Sequence, residues 1–249
     1  MTASSSPDPL RERVAFLKTV PLFVSLNDTY LNSLAQSFRP RTYEKTDVIF
    51  RQGDNGHEVY LIRTGKVRIF KVSPSGQETS IILLSTGALV GEYAVIDGRT
   101  RSAMACALER CEIWEMAGSR FLQYVREIPD FALALCRLLV AKVRWNATYI
   151  EMIAQYDAAG RFLQILLLYN EQFGKAVQAG KSYELDLSLT QDDLASLVGA
   201  RREWVNRILQ TWRKRGLLDY QAGKIMILDL PEVQQERDRH FEAYQVELG

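Results

Sequence analysis

The segment from Leu189 to Leu218, LTQDDLASLVGARREWVNRILQTWRKRGLL, constrains this chain more than any other. Its apolar residues fall three and four apart in two short runs. Leu194, Leu197 and Val198 make one face, and Trp204, Val205, Ile208, Leu209 and Trp212 make another. Such spacing is helical. Thr190 precedes the first run, with Asp192 and Asp193 just after it, so a hydroxyl cap and first-turn acidic charge mark a helix start. Gly199 separates the runs, at a turn open to positive φ. The second helix turns Arg201, Arg202, Glu203, Asn206 and Arg207 outward. This is the pattern of a helix-turn-helix whose second helix suits a DNA major groove. A guanidinium fork pairs with guanine O6 and N7, and a carboxylate accepts from cytosine N4. Arg202, Glu203 and Arg207 cluster near the helix N-terminus, the end that meets base edges. Thr190, Gln191 and Lys224 complete the expected DNA-contacting set. The competing reading is a solvated charged face on a core helix pair.

Bulk charge does not announce a nucleic-acid binder, because the net charge is only +1 over 249 residues. The distribution does: seven basic residues lie between Arg201 and Lys224, opposed only by Glu203 and Asp219. The start, MTASSSPDP, reads as a disordered tail over residues 1–9 without a signal-peptide core. No apolar run reaches the length of a membrane span, so a cytoplasmic protein is expected. Cys106, Cys111 and Cys136 show no CxxC spacing and fit reduced thiols. Two scattered histidines make no metal site, and no catalytic constellation is evident, so no enzyme is expected.

Along the chain, residues 10–39 read as helical with a break at Pro21. From about Thr42 to Met116, short β-branched runs alternate with glycine-bearing turns such as Gln52-Gly53-Asp54 and Thr64-Gly65-Lys66. Many short strands at close spacing indicate a small antiparallel roll. After Pro129 no glycine or proline occurs until Gly160, which predicts a long helix. Leu135, Lys142, Tyr149 and Tyr156 recur every seven residues, as do Leu138, Trp145 and Met152. That heptad seam predicts a parallel dimer through Leu135, Leu138, Lys142, Trp145, Tyr149 and Met152; packing on the chain's own roll is the alternative. Asp157 is expected to cap a fresh helix and open the second domain. Leu217 to Leu228 reads as a β-hairpin turning at Ala222-Gly223-Lys224. The expected organisation is a roll with flanking helices at 10–128, a dimer helix at 129–156, a winged helix-turn-helix at 157–230 and a helical extension at 231–249.

Within the roll, Gly91-Glu92-Tyr93-Ala94 leads to Arg101-Ser102-Ala103. Free backbone amides at a helix start, the Arg101 fork and the Ser102 hydroxyl suit a phosphate. Glu92 is an acceptor, suited to a ribose hydroxyl. Together they suggest a nucleotide.

These motifs resemble the bacterial transcription regulators of the cyclic-AMP receptor protein/FNR type. The resemblance rests on Phe50…Gln52-Gly53-Asp54 with Gly65, the Gly91-Glu92…Arg101-Ser102-Ala103 cassette, the long helix, the Asp157 joint and Arg202-Glu203…Arg207. It implies an α+β fold: an N-terminal cyclic-nucleotide-binding antiparallel β-roll (jelly-roll-like), a long dimerisation helix and a C-terminal winged helix-turn-helix. It implies cyclic AMP as allosteric effector, bound at Gly91, Glu92, Tyr93, Ala94, Arg101 and Ser102. It also implies double-stranded DNA with TGTGA-like half-sites, a homodimer, and RNA polymerase as partner. Where cyclic-AMP-responsive members place hydroxyl residues against adenine, this chain carries Asn146 and Ala147. Asn146 either contacts an adenine edge or fixes coiled-coil register, and Ala147 makes no polar contact. The cysteine cluster of iron–sulfur members is missing, and no haem ligand is identifiable, so neither group nor a metal is expected. The rival readings are a regulator gated by another ligand or by none, and a cyclic-nucleotide module without DNA function.

Overall fold

The computed structural model describes residues 9–241. The expected tail at 1–9 therefore lies outside the described residues except for Pro9, as does the extension beyond Phe241. The chain separates into two compact units, divided within the long helix between Val143 and Arg144.

The first unit opens with helices α1 (Pro9–Leu17) and α2 (Asp28–Ser37). Strands β1 (Arg39–Tyr43), β2 (Val48–Phe50), β3 (Glu58–Thr64), β4 (Val67–Val72), β5 (Glu78–Leu84) and β6 (Leu89–Val90) follow. The one-and-a-half-turn helix α3 (Glu92–Asp97) interrupts the strands before β7 (Met104–Ala107) and β8 (Cys111–Ala117). Two antiparallel four-stranded sheets result, ordered β1-β8-β3-β6 and β2-β7-β4-β5. Their facing residues, among them Tyr60, Ile62, Val67, Ala105 and Ile113, form the core of the roll. A second core gathers α1, α2, Trp114 and helix α4 (Gly118–Glu127) with Phe131 and Leu135, at the start of helix α5 (Pro129–Gln155). There Phe131 stacks on Phe23 at 5.7 Å and meets Phe121 edge-on.

The second unit takes the distal turns of α5, then α6 (Ala158–Phe173), β9 (Gly174–Gln178), β10 (Ser182–Leu185), α7 (Gln191–Val198), α8 (Arg202–Lys214), β11 (Leu218–Gln221), β12 (Lys224–Ile227) and α9 (Leu230–Arg239). Asp157 caps α6, its carboxylate accepting from the amides of Ala159 and Gly160. Phe162 of α6 is fully buried and meets Trp212 of α8 edge-on at 5.4 Å. The wing is a four-stranded sheet, β11-β12-β10-β9, rather than a lone hairpin. The β9–β10 arm escaped the sequence reading because β9 is almost wholly exposed and carries no apolar alternation.

The six positions expected at a dimer seam pack, at least in part, within their own unit. Leu135 is buried in the first unit's own core, with Leu138 packed against it. Lys142 bonds the Leu89 carbonyl and Glu92. In the second unit, Trp145 stacks on Tyr169, Tyr149 donates to the Leu197 carbonyl, and Met152 is buried. Leu135 and Met152 are buried, and the other four are half-buried. Among the exposed positions of α5, which also include Arg137, Arg144, Glu151 and Ile153, are Leu133, Cys136, Val140, Val143, Ala147, Ile150 and Ala154. Their alternating spacing of three and four is itself a heptad stripe. Val143 and Ile150 are each 66% exposed. Two apolar repeats thus run along one helix, and sequence period alone could not say which faced inward.

Candidate functional site

The cassette forms where β6 ends. Gly91 adopts φ 82°, so the chain turns at once from strand into α3. A Cβ there would lie 2.6 Å from Nη1 of Arg101, so the guanidinium packs directly under this glycine. The Gln52-Gly53-Asp54 turn holds Arg101 from the other side: the Gly53 amide donates to the Arg101 carbonyl, and the Arg101 amide donates to the Asp54 carbonyl. Arg101 is 3% exposed. Its Nη1 donates to the Gly91 carbonyl at 2.5 Å and its Nη2 to the Glu58 carbonyl at 2.7 Å. Its plane lies over Phe50 at 4.6 Å and Tyr60 at 5.5 Å. Burial pushes the Tyr60 hydroxyl up, so it stays neutral beside this cation. The Nε of Arg101 is buried and has no hydrogen-bond partner among the described residues. An orphaned guanidinium donor is costly to leave so, and an anion placed beside it would satisfy it.

Glu92 is 1% exposed, and its carboxylate pairs with Lys142 Nζ at 2.6 Å. That ammonium also lies 5.3 Å from the Tyr93 ring. Sequence reasoning found Glu92 and Arg101 but missed Glu58, and it assigned Lys142 to another role. Both residues lie more than 40 positions from their partners, and no local motif marks them. Ala94 is buried and Ser102 exposed. Asn146 and Ala147 are exposed on α5, in the second compact unit.

The helix pair is built as its spacing requires. Thr190 and Asp193 form a reciprocal capping box at the start of α7, and Gly199 ends that helix at φ 69°. Val205, Leu209 and Trp212 are buried, while Trp204 and Ile208 are half-buried. Arg201, Arg202, Glu203, Asn206 and Arg207 are all exposed. Arg202 lies 3.5 Å from Asp192 of α7, and Asn206 accepts from Gln191. In the wing, Lys224 pairs loosely with Glu184 at 3.3 Å. The structure therefore brings the Arg202, Glu203 and Arg207 positions onto one solvent-facing patch of a helix whose other face is core.

Comparisons with known proteins agree with both halves. The cyclic nucleotide-binding domain family matches residues 40–127, and the Crp-like helix-turn-helix domain family matches residues 160–236. The cyclic AMP receptor protein of Thermus thermophilus is 30% identical over 212 residues, covering 85% of this chain and 94% of that protein. The chain belongs to the CRP/FNR family of transcription regulators. A CRP-like cAMP-activated global transcriptional regulator of Mycobacterium tuberculosis is 25% identical over 208 residues, covering 84% of this chain and 92% of that one. The solved structure of the c-di-GMP responsive regulator CLP of Xanthomonas campestris shares the fold. Its TM-score is 0.70 at 21% identity, with 81% of this chain and 99% of that chain covered. Like its relatives, this CRP/FNR member is a regulator and not an enzyme. No helix among the described residues is long and apolar enough to cross a membrane.

Proposed function

We propose that this CRP/FNR-family chain is a homodimeric regulator that reads a twofold-symmetric, TGTGA-like DNA site under the control of cyclic AMP. The observation that carries the effector half is the buried Arg101 with its orphaned Nε. Arg101 and Lys142 bring two positive charges to the cassette, opposed by Glu92 and by the Glu58 carboxylate 3.9 Å from Arg101 Nη2. Glu92 fits a ribose hydroxyl, and Asn146 remains a candidate for the adenine edge. The relatives in Thermus and Mycobacterium are named for cyclic AMP. Arg202, Glu203 and Arg207 supply the base-reading groups, with Thr190, Gln191, Arg201, Asn206 and Lys224 toward the backbone. The dimer forms through the exposed stripe from Leu133 to Ala154. Ligand acts by binding one arrangement of the paired helices more tightly, which sets the two recognition helices about one DNA turn apart. RNA polymerase is the expected partner on DNA.

Calorimetry with cyclic AMP and cyclic GMP tests the effector, and selection from random duplexes with and without nucleotide tests the site. Cyclic AMP is expected to bind more tightly, and the enriched motif to be symmetric. Absence of heat with either nucleotide, or a motif without symmetry, overturns the respective half. Cys136, exposed on the stripe, reports the dimer: a thiol oxidant is expected to yield a covalent dimer that Cys136→Ser abolishes. A second reading, regulation without ligand, has its own support. Arg101 and Glu92 already hold internal partners in Gly91, Glu58 and Lys142. DNA affinity indifferent to nucleotide selects it.

A further inference from the structure

The last helix among the described residues makes two attachments one turn apart, near its C-terminal end. Arg215, the residue that closes the recognition helix α8, places two guanidinium nitrogens on the Glu236 carboxylate at 2.5 and 2.7 Å. Glu236 is 5% exposed, and Arg239 adds a contact at 2.9 Å. The Arg215 guanidinium, outweighing burial, holds the Glu236 carboxyl down to about 2. Just beyond the end of α9, His240 Nδ1 lies 2.9 Å from Asp157 Oδ2, and the Asp157 amide donates to the His240 carbonyl. Burial alone would raise the Asp157 carboxyl, but the Gly160 amide and His240 beside it leave it below its ordinary value. Phe241 bridges to Tyr156 through the backbone, and their rings meet edge-on at 5.4 Å. A Cβ at Gly160 would stand 2.8 Å from the His240 Cβ, so the first turn of α6 is shaped to admit this segment. His240 Nε2 also lies 3.7 Å from Glu236, which joins the two attachments into one row: Arg215, Glu236, His240, Asp157.

Each attachment alone is ordinary. Together they tie the C-terminal end of the DNA-reading helix to the joint where α5 hands over to α6. A bidentate guanidinium–carboxylate pair is directional, so it fixes angle as well as distance. The family match in this part of the chain ends at residue 236, so His240 and Phe241 lie outside it.

We propose that the C-terminal turn of α9, from Glu236 to His240, is a strut between the recognition helix and the α5–α6 joint, with Glu236 and His240 as positioning residues that hold α8 in fixed orientation to that joint. Its consequence for DNA rests on the regulator reading above, but the strut itself is tested without DNA. The experiment is amide hydrogen exchange on the full chain and its Glu236→Gln, His240→Ala and His240→Gln variants. Glu236→Gln and His240→Ala are each expected to speed exchange roughly tenfold at both ends of the strut, over residues 156–161 and 212–217. Faster exchange confined to the substituted end overturns the proposal. His240→Gln retains a donor toward Asp157 and is expected to restore wild-type exchange at both ends; if it behaves as His240→Ala, the contact is not the cause and the proposal falls. Should Glu236→Gln fail to fold, the His240 pair decides alone. As a second readout, each loosened variant is expected to bind the duplex selected by the wild-type chain about tenfold more weakly, with affinity for an unrelated duplex unchanged at equal salt. A wild-type chain that selects no duplex defeats the DNA reading while leaving the exchange result to judge the strut.

Discussion

The proposed effector cassette and the proposed DNA-reading patch carry similar side chains on opposite plans. In the cassette, Arg101 and Glu92 are buried and held by the protein itself. On α8, Arg202, Glu203 and Arg207 face water, and only their apolar neighbours are packed. A charge removed from water must be paired inside the fold before any ligand arrives, so a ligand there competes with internal partners. A charge left in water has a partner that yields readily, so its removal barely troubles the fold. One region thus couples binding to stability, and the other separates them.

The largest expected effect tests the first half of that contrast. Arg101→Ala strands the Gly91 and Glu58 carbonyls and empties the space over Phe50 and Tyr60. It is expected to destabilise the roll by about 2–4 kcal/mol and to abolish nucleotide binding. Denaturant unfolding and calorimetry check it, and an Arg101 variant of unchanged stability breaks the comparison.

Next comes Glu236, a buried carboxylate in the other unit. Its folded value of about 2 lies below the ordinary 4.5. A depressed carboxylate stabilises above its unfolded value and loses that contribution as pH falls through the folded one. Roughly 2–3 kcal/mol present at neutral pH is therefore expected to vanish between about pH 4.5 and 2. Unfolding against pH in wild type and Glu236→Gln measures it, and a variant with the same acid limb as wild type contradicts it.

For the exposed patch, Arg202→Ala and Arg207→Ala should each cost about 1–3 kcal/mol of discrimination at a guanine, while stability stays within about 0.5 kcal/mol. Lys224→Ala sharpens the point, since it should weaken all sequences alike and lower the salt slope by about one unit. Binding titrations on selected and scrambled duplexes separate the two patterns.

The smallest effect concerns the wing turn. Ala222 sits at φ 51° beside Gly223 at φ 85°, a hairpin turn that favours glycine or asparagine at both places. Ala222→Gly is expected to stabilise the second unit by about 0.5–1 kcal/mol, read as a shift in thermal midpoint.

The same contrast explains what the sequence made legible. The helix pair could be read nearly residue by residue, because capping, turn and apolar period all lie within thirty neighbouring positions. Gly91, Glu92 and Arg101 were also readable as a local cassette. Their partners were not: Glu58 and Lys142 come from elsewhere in the chain and have no signature except the contact itself. On α5 the inward heptad is rich in large aromatic residues and drew notice. The outward one, plainer with Cys136, Ala147 and Ala154, was not singled out.

That plainness has a mechanical meaning. Small side chains let paired helices approach toward the lower end of the usual 8–10 Å separation. In a dimer built on the outward stripe, Ala147 and Ala154 act as thin shims between two rods. Thickness at those two positions would then set how far apart the rods stand, so a change of a single methylene there would be felt as geometry rather than as affinity.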